Sequence, residues 1–278
     1  MRHPGLKARM AVVGSILFGF YMLLAIVALS YGAPLVLVLL GTVLFAGFQY
    51  KFGKWAALRS VGAEDMPRDR FPDVHDAVDR LCEEMDLEKP DLKVAEMGVP
   101  NAFAVGRRGA GVVVVSTELM HLLGKEELEA VLAHELAHID NRDVVTMVMG
   151  QAVASLLGFA AYFVVAFSRE GGIGNIIVGY LASIVVQSVA MVFVLAISRY
   201  REYVADDDAA RHVGGDAMAN ALEKISNAGQ RGRAEVDDNV SALCIFGGER
   251  SALERLFATH PPIEKRIEAV RGVEREFY

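Results

Sequence analysis

Long runs without a charged side chain constrain this sequence more than any other feature. Three such runs cover Met10–Tyr50, Val144–Ser168 and Gly171–Ser198. A helix needs about 20 apolar residues to cross a bilayer, so the first run has room for two spans and each of the others for one. Gly32 and Pro34 interrupt the first run, which favours a turn at that point. The sequence therefore predicts four transmembrane helices arranged as two hairpins.

A cleaved signal peptide is the alternative interpretation of the first run. The apolar part of a signal peptide is about 7–15 residues long and ends in small residues before a cleavage site. The first run is much longer, and no clear cleavage site precedes its second predicted span. The pattern therefore favours a membrane hairpin.

Basic residues flank the predicted spans on one side, whereas the two short connecting loops carry almost none. Because Lys and Arg accumulate in cytoplasmic loops, both termini and both long polar segments are expected to face the cytoplasm. The residues that give this prediction are Arg2, Lys7, Arg9, Lys51, Lys54, Arg59, Arg142, Arg199 and Arg201.

The composition is that of a protein with both a membrane part and a soluble part. Hydrophobic residues make up 53% of the chain and charged residues 23%, and the mean hydropathy is +0.33. This apolar content excludes a disordered chain. The net charge of -7 argues against nucleic acid as a partner. Cys82 and Cys244 lie outside any C-x-x-C pattern, so a disulfide scaffold is excluded and a reducing setting is expected.

The polar segments predict a small sheet among several helices. Apolar residues at helical spacing predict a helix at 72–85. Short β-branched segments predict a strand at 92–95 and a hairpin of Asn101–Gly106 with Gly111–Ser116. A longer helix begins near Lys125. Further predicted elements are helices at 118–123, 200–212, 215–228 and 262–271, and a turn-rich loop at Arg231–Asn239.

The longer helix contains the motif His134-Glu135-Leu136-Ala137-His138. Residues i and i+4 share one face of a helix, so His134 and His138 can bind one zinc ion. Glu135 points about 100° away, where its carboxylate can take a proton from a zinc-activated water. A pair of core histidines with their own hydrogen-bond partners is the alternative interpretation.

A catalytic zinc needs a third protein ligand and an open fourth position. Glu202 and Asp206 are also four residues apart and follow the last predicted span. Glu202 is the candidate ligand, and Asp206 is the candidate partner of the His134 imidazole, whose tautomer it would fix. A solvated acidic face is the alternative, because Asp207 and Asp208 follow.

The predicted spans bring these two segments together. The third and fourth spans are expected to be antiparallel neighbours, because their connection is only a few residues long. At 1.5 Å per residue, His138 lies about 9 Å of helix before Val144, and Glu202 lies about 6 Å beyond Ser198. Both sets of ligands are therefore expected at a similar height beside the cytoplasmic leaflet.

In combination, these motifs resemble those of the HtpX-like family of integral-membrane zinc metallopeptidases, which are related to the CAAX prenyl proteases. The order of the motifs and of the predicted spans agrees with that family over nearly the whole chain. The matching stretches are Asn101–Ala104, His134–His138, Asn141–Asp143, Ser198–Asp206 and His260–Pro262, together with Arg266.

The resemblance implies an α+β, mostly helical integral membrane protein, in which four transmembrane helices carry a cytosolic gluzincin-like zinc-peptidase domain. It makes His134, His138 and Glu202 the ligands of one Zn²⁺ per chain and Glu135 the general base. The implied segments are a transmembrane hairpin at 1–50, the first half of the peptidase domain at 51–143, a second transmembrane hairpin at 144–198 and the second half of the peptidase domain at 199–278.

The resemblance also implies a strand that binds substrate and two catalytic side chains from the C-terminal region. The strand would lie at the edge of the cleft and pair with an extended substrate backbone, and either His260 or Arg266 could stabilise the oxyanion. Tyr203 is an alternative donor, ranked below His260. From the residues alone, a core hairpin strand, a histidine that only ends a helix and an arginine that is only a surface charge remain open. The strand residues are Asn101, Ala102, Phe103 and Ala104.

The expected activity is hydrolysis of damaged or misfolded membrane proteins, or of other unfolded polypeptides, at the cytosolic face of the cell membrane. One alternative is processing of prenylated tails, although four spans are few to enclose a lipid chamber.

Another alternative is a scaffold or transporter with a structural zinc. The predicted spans contain no ionisable acid or base, which disfavours transport, and structural zinc sites are closed by four ligands, often Cys. Self-cleavage is expected near 231–239.

Overall fold

The computed structural model describes residues 35–166, 168, 173–232 and 260–274. The first predicted span lies outside these residues, as does the predicted loop beyond Gly232. The described elements are α1 (Leu35–Ser60), β1 (Glu64–Asp65), α2 (Pro72–Glu84), β2 (Asp91–Ala95), β3 (Ala102–Val105), β4 (Val112–Ser116), α3 (Thr117–Leu122), α4 (Lys125–Asp140), α5 (Asp143–Ala166), α6 (Ile173–Val213), α7 (Gly215–Gly232) and α8 (Ile263–Val270).

The described residues belong to two compact units. Among the described residues, the first unit, here called the site unit, comprises 53–145, 199–232 and 260–274. The second, here called the apolar unit, comprises 35–52, 146–166, 168 and 173–198. Every predicted site residue belongs to the site unit.

Glycine contacts show how closely two helices approach each other in the apolar unit. A Cβ added at Gly150 would lie 3.0 Å from Val194 Cγ1, and one at Gly179 would lie 3.0 Å from the carbonyl oxygen of Tyr162. Small residues at such positions let membrane helices pack backbone to backbone. Two helices in the described part of the chain are long and apolar enough to cross a membrane, over Asp143–Ala166 and Gly174–Val213.

A four-stranded sheet in the order β1-β2-β4-β3 lies at the centre of the site unit. β2 and β4 are parallel, whereas β3 is antiparallel to β4 and forms one edge of the sheet. The predicted hairpin is confirmed, since Ala102 pairs with Val115 and Val105 with Val112. Gly106 adopts a φ of +108° in the turn, where an added Cβ would lie 2.3 Å from the Ala110 carbonyl oxygen. A side chain at this position is therefore excluded.

The core of the site unit forms where α2, α4 and α7 pack together on one face of the sheet. Leu81 from α2, Leu132 from α4 and Leu222 from α7 are almost fully buried in this core. Alternation along β4 directs Val113 and Val115 to the same core. The other face of β4 packs on the C-terminal part of α1. The helix that carries the histidine motif is thus held between the sheet and two other helices.

One predicted element differs from the structure, and one strand of the structure was not predicted. The helix predicted at 200–212 is not a separate element, because α6 continues without a break over 41 residues from Ile173 to Val213. No Gly or Pro interrupts the chain between Ser198 and Val213, and such residues are the usual helix breakers. The strand β1 was not predicted, because Glu64 and Asp65 carry no alternating pattern and are ordered by pairing with β2.

Candidate metal centre

Helix α4 positions the histidine motif. It begins after Gly124, whose N–H donates to the Glu127 carboxylate at 2.7 Å, and an acidic side chain in the first turn stabilises a helix start. Ala130, Ala133 and Ala137 are all buried along it. Their small side chains let the helix pack closely in the core. As a result, the motif that follows is held in a helix that cannot easily shift.

The structure brings the three predicted ligands together. His134 and His138 present their Nε2 atoms to each other at 3.1 Å. Glu202, from α6, lies with Oε2 3.8 Å from His134 Nε2 and Oε1 3.5 Å from His138 Nε2. Each of the three residues offers one ligand atom, and these three atoms all lie within 4.8 Å of one another. These three residues can therefore hold one metal ion.

The donor chemistry fits such an ion. Two imidazole nitrogens and one carboxylate are a set of ligands that divalent transition metals accept. Glu202 is only 5% exposed, and a buried carboxylate is costly unless positive charge lies beside it. Arg266, whose Nη1 lies 3.1 Å from Glu202 Oε2, supplies positive charge on one side, and a metal ion would add charge at the centre of the group.

A buried pair of charged residues lies behind His134. Asp206 Oδ1 is 3.0 Å from His134 Nδ1, as predicted from the spacing. Arg266 donates to both oxygens of Asp206, and its Nη1 lies 3.1 Å from Glu202 Oε2. Burial lowers the pKa of His134, but the hydrogen bond and the negative charge of Asp206 outweigh it and raise that pKa overall. Burial also opposes the charged form of Arg266, yet Asp206 and Glu202 raise its pKa.

His138 has an acidic partner of its own, which the spacing argument did not assign. Asp143 Oδ2 is 2.6 Å from His138 Nδ1. Burial, together with the nearby His134, lowers the pKa of His138 to about 4. The imidazole is therefore neutral at physiological pH, which is the form that binds a metal.

Glu135 occupies the position expected of a base. Its side chain is 4% exposed and accepts a hydrogen bond from the backbone N–H of Ala104 in β3. Burial raises the pKa of Glu135, and the neighbouring imidazoles of His134 and His138 oppose this rise only in part. A carboxylate with a raised pKa is a stronger base than an ordinary surface glutamate.

The edge strand lies next to this base. The Asn101 carbonyl oxygen accepts the Ser116 N–H at 2.8 Å, and the Asn101 N–H donates to Ser116 Oγ at 2.9 Å. Hydrogen-bonded and non-hydrogen-bonded pairs alternate in an antiparallel ladder. The backbone groups of Ala102 and Ala104 therefore face away from β4, on the same side as Glu135.

The two predicted residues from the C-terminal region differ in their surroundings. His260 Nδ1 lies 2.9 Å from Glu202 Oε2, and its side chain is 28% exposed. Arg266 is 1% exposed and binds carboxylates through all three of its nitrogens. His260 thus has access to a bound substrate, whereas Arg266 is committed to the acidic residues around the ligands.

Sequence reasoning placed Asp143 in a matching stretch but gave it no role, and it misjudged the surroundings of Arg201. Arg201 counted among the basic residues that flank a span, but it is only 2% exposed and forms an ion pair with Asp143. The available signals were the position of Asp143, five residues after His138, and that of Arg201, beside Glu202. Spacing alone did not connect them, because the contact depends on the turn between α4 and α5.

Comparison with known proteins gives relatives over most of the chain. Peptidase family M48 matches residues 68–274. A protein named Protease HtpX homolog from Halobacterium salinarum is 48% identical over 95% of this chain and 100% of its own length. Protease HtpX homolog 2 from Methanosarcina mazei is 36% identical over 99% of this chain and 97% of its own length.

A solved structure shares the fold. The crystal structure of S. mikatae Ste24p matches with a TM-score of 0.62 and 16% sequence identity. The match covers 96% of this chain and 64% of that chain, so this chain spans about two-thirds of the length of Ste24p. At this identity the likeness concerns the fold alone.

Fold and site together define a membrane metallopeptidase with an HExxH motif. The chain belongs to Peptidase family M48. Its predicted resemblance to the HtpX-like proteases is confirmed by relatives that carry that name.

Proposed function

We propose that this chain is a zinc endopeptidase that cuts unfolded or damaged membrane proteins at the cytosolic face of the membrane. The convergence of two histidine nitrogens and a buried glutamate within 4.8 Å, with Glu135 beside them, is the observation that carries this proposal. One Zn²⁺ held by His134, His138 and Glu202 would supply Lewis acidity to the scissile carbonyl and to the attacking water.

Glu135 performs the proton transfers. Its carboxylate takes a proton from the attacking water and later passes it to the leaving amine. The burial that raises the pKa of Glu135 suits both steps, since a group of intermediate pKa can accept and release a proton. The hydrogen bond from the Ala104 N–H fixes the carboxylate in place for both transfers.

The edge strand binds the substrate backbone. The backbone groups of Ala102 and the carbonyl oxygen of Ala104 face away from β4, and an extended peptide can add to the sheet there. The Ala104 N–H is already taken by Glu135. Asn101 and Phe103 hold the strand from the other side, through β4 and the core. Main-chain pairing of this kind is largely independent of sequence, which fits unfolded substrates.

His260 is the candidate donor to the oxyanion, because it is partly exposed and lies 2.9 Å from the ligand Glu202. A donor aimed at the developing negative charge lowers the barrier to hydrolysis. Arg266 is assigned a different role. Its contacts with Asp206 and Glu202 favour holding the ligands over contact with the substrate.

The proposed topology has four spans and a cytosolic peptidase domain built from residues 51–143 and 199–278. The basic residues that flank the apolar runs support this orientation. The lipid bilayer and membrane-protein substrates are then the partners, and the cell membrane is the location.

Casein cleavage by the purified, zinc-loaded chain in detergent tests the activity. We expect the wild-type protein to cut casein, chelator to stop it, and Glu135→Gln to retain zinc without turnover. Glu129→Gln is the matched control, because Glu129 lies on the same helix but pairs with Arg80 at 2.6 Å. Activity retained in Glu135→Gln would overturn the assignment of the base.

A prenylated and an unprenylated peptide compared side by side separate this proposal from processing of lipidated tails. Equal cleavage of both peptides is expected of a quality-control protease. Strict dependence on the prenyl group would favour the processing function instead.

A further inference from the structure

A second buried ion pair lies in the site unit, behind the metal ligand His138. Asp143 stands between the imidazole of His138, with Oδ2 2.6 Å from Nδ1, and the guanidinium of Arg201, which contacts Oδ1. Asp143 is 8% exposed and Arg201 is 2% exposed. Burying two charges is costly even when they are paired. A buried ion pair at this position therefore suggests a role other than stabilising the fold.

The turn between α4 and α5 creates this contact. Arg142 adopts a φ of +57°, in the left-handed region that non-glycine residues rarely occupy. Its N–H donates to the Ile139 carbonyl oxygen at 3.1 Å. This turn places Asp143, the first residue of α5, beside the imidazole of His138.

The arrangement repeats the one behind the other histidine ligand. His134 is backed by Asp206, which is bound in turn by Arg266. Both histidines therefore contact a buried aspartate through Nδ1, which leaves Nε2 directed at the other ligands. A partner at Nδ1 fixes the ring orientation and the tautomer of a metal-binding histidine.

Arg201 also connects two parts of the site. It precedes the ligand Glu202 on α6, while Asp143 follows the ligand His138 at the start of α5. The ion pair between them therefore fixes the segment that carries one ligand to the segment that carries another.

We infer that Asp143 and Arg201 are positioning residues that orient His138 and set its distance from Glu202, and thereby strengthen metal binding. This inference rests on the proposed zinc site. Asp143 accepts the Nδ1 hydrogen of His138, and Arg201 holds the carboxylate aimed at the ring. Neither residue contacts the substrate.

Zinc affinity of the full chain in detergent, measured by competition with a chromogenic chelator, tests the inference. We expect Asp143→Ala to weaken zinc binding about 10–100-fold, as loss of such a partner does at other metal sites. Arg201→Gln is expected to weaken it by a smaller factor, because the hydrogen bond to His138 remains. Asp140→Asn is the matched control, since Asp140 pairs with Arg108 on the surface.

Replacing zinc by cobalt gives a second measurement, which depends on the geometry of the ligands and not on the stability of the protein. The visible spectrum of the Co²⁺ form reports the geometry of the ligands, and we expect it to shift in both site variants but not in Asp140→Asn. The melting temperature of each metal-free protein identifies a variant that fails to fold, and Asp143→Asn is then used in its place. Wild-type zinc affinity and an unchanged cobalt spectrum in Asp143→Ala would overturn the inference. A wild-type chain that binds no zinc would instead overturn the proposed function.

Discussion

Arg266 donates two hydrogen bonds to Asp206, from Nε to Oδ2 and from Nη2 to Oδ1, and both are 2.7 Å long. The exposed fractions of the two residues are 1% and 0%. The third nitrogen of the same guanidinium lies 3.1 Å from the ligand Glu202. One side chain from α8 thus holds both the ligand on α6 and the aspartate that orients His134.

Replacing Arg266 by alanine removes the positive charge from two buried carboxylates. Breaking a buried ion pair from one side costs about 3–5 kcal/mol, and we expect a loss of this size in the free energy of unfolding, together with lower zinc affinity. Arg271→Ala is the control, since Arg271 ends the same helix, pairs with Glu223 and is exposed. That variant is expected to lose about 0–1 kcal/mol. Equal unfolding midpoints for both variants would contradict the assigned role of Arg266.

The raised pKa of Glu135 predicts an acid limit on activity. The carboxylate must be ionised to accept a proton, so kcat/KM is expected to fall as the pH drops through a pKa above 4.5, the ordinary value for this group. Protonation of His134, whose pKa is also raised, would release metal on the same side. Zinc content is therefore measured at each pH. A midpoint at or below 4.5 with zinc still bound would rule out a raised pKa.

The local parts of the site could be predicted from the sequence. His134 and His138 share a helix face because they are four residues apart, and the apolar residues around them already predicted a buried helix. The pairing of Asp206 with His134 also followed from spacing, and the structure places the two 3.0 Å apart. Such relationships need only the geometry of one helix and the expectation of one shared metal.

The missed parts depend on tertiary structure. Asp143 reaches His138 through the turn at Arg142, and an arginine in a left-handed conformation has no signature in sequence. In the sequence, Arg201 has the position of a basic residue that flanks an apolar run. In the structure it is buried beside Asp143. Arg266 was expected at the site from the family resemblance alone, because no local pattern connects it with Asp206, 60 positions away.

Burial of Cys82 predicts a thiol that reacts slowly in the folded protein. Its pKa is raised to about 11, chiefly by burial and further by the charge of Asp79. Relative to a free thiol of pKa about 8.5, the reactive thiolate is roughly 300-fold scarcer at pH 8. Iodoacetamide labelling of a Cys244→Ser variant, followed by mass spectrometry, measures this single thiol. We expect slow labelling of the native chain and fast labelling in denaturant, and fast native labelling would show that Cys82 is not buried.

Gly215 lies where the backbones of α7 and α8 approach each other closely. A Cβ at this position would lie 2.1 Å from the Val270 carbonyl oxygen, at the end of the helix that carries Arg266. Backbone cannot yield as a flexible side chain can, so Gly215→Ala is expected to cost about 1–3 kcal/mol of stability and to lower zinc affinity by displacing α8. Gly174→Ala is the control, because Gly174 also lies in the first turn of a helix and its added Cβ would meet nothing within 4 Å. That variant is expected to match or exceed the thermal stability of the wild-type protein.

A Gly215→Ala protein as stable as Gly174→Ala would show that α7 and α8 can separate without cost. The position of Arg266 would then not depend on this contact.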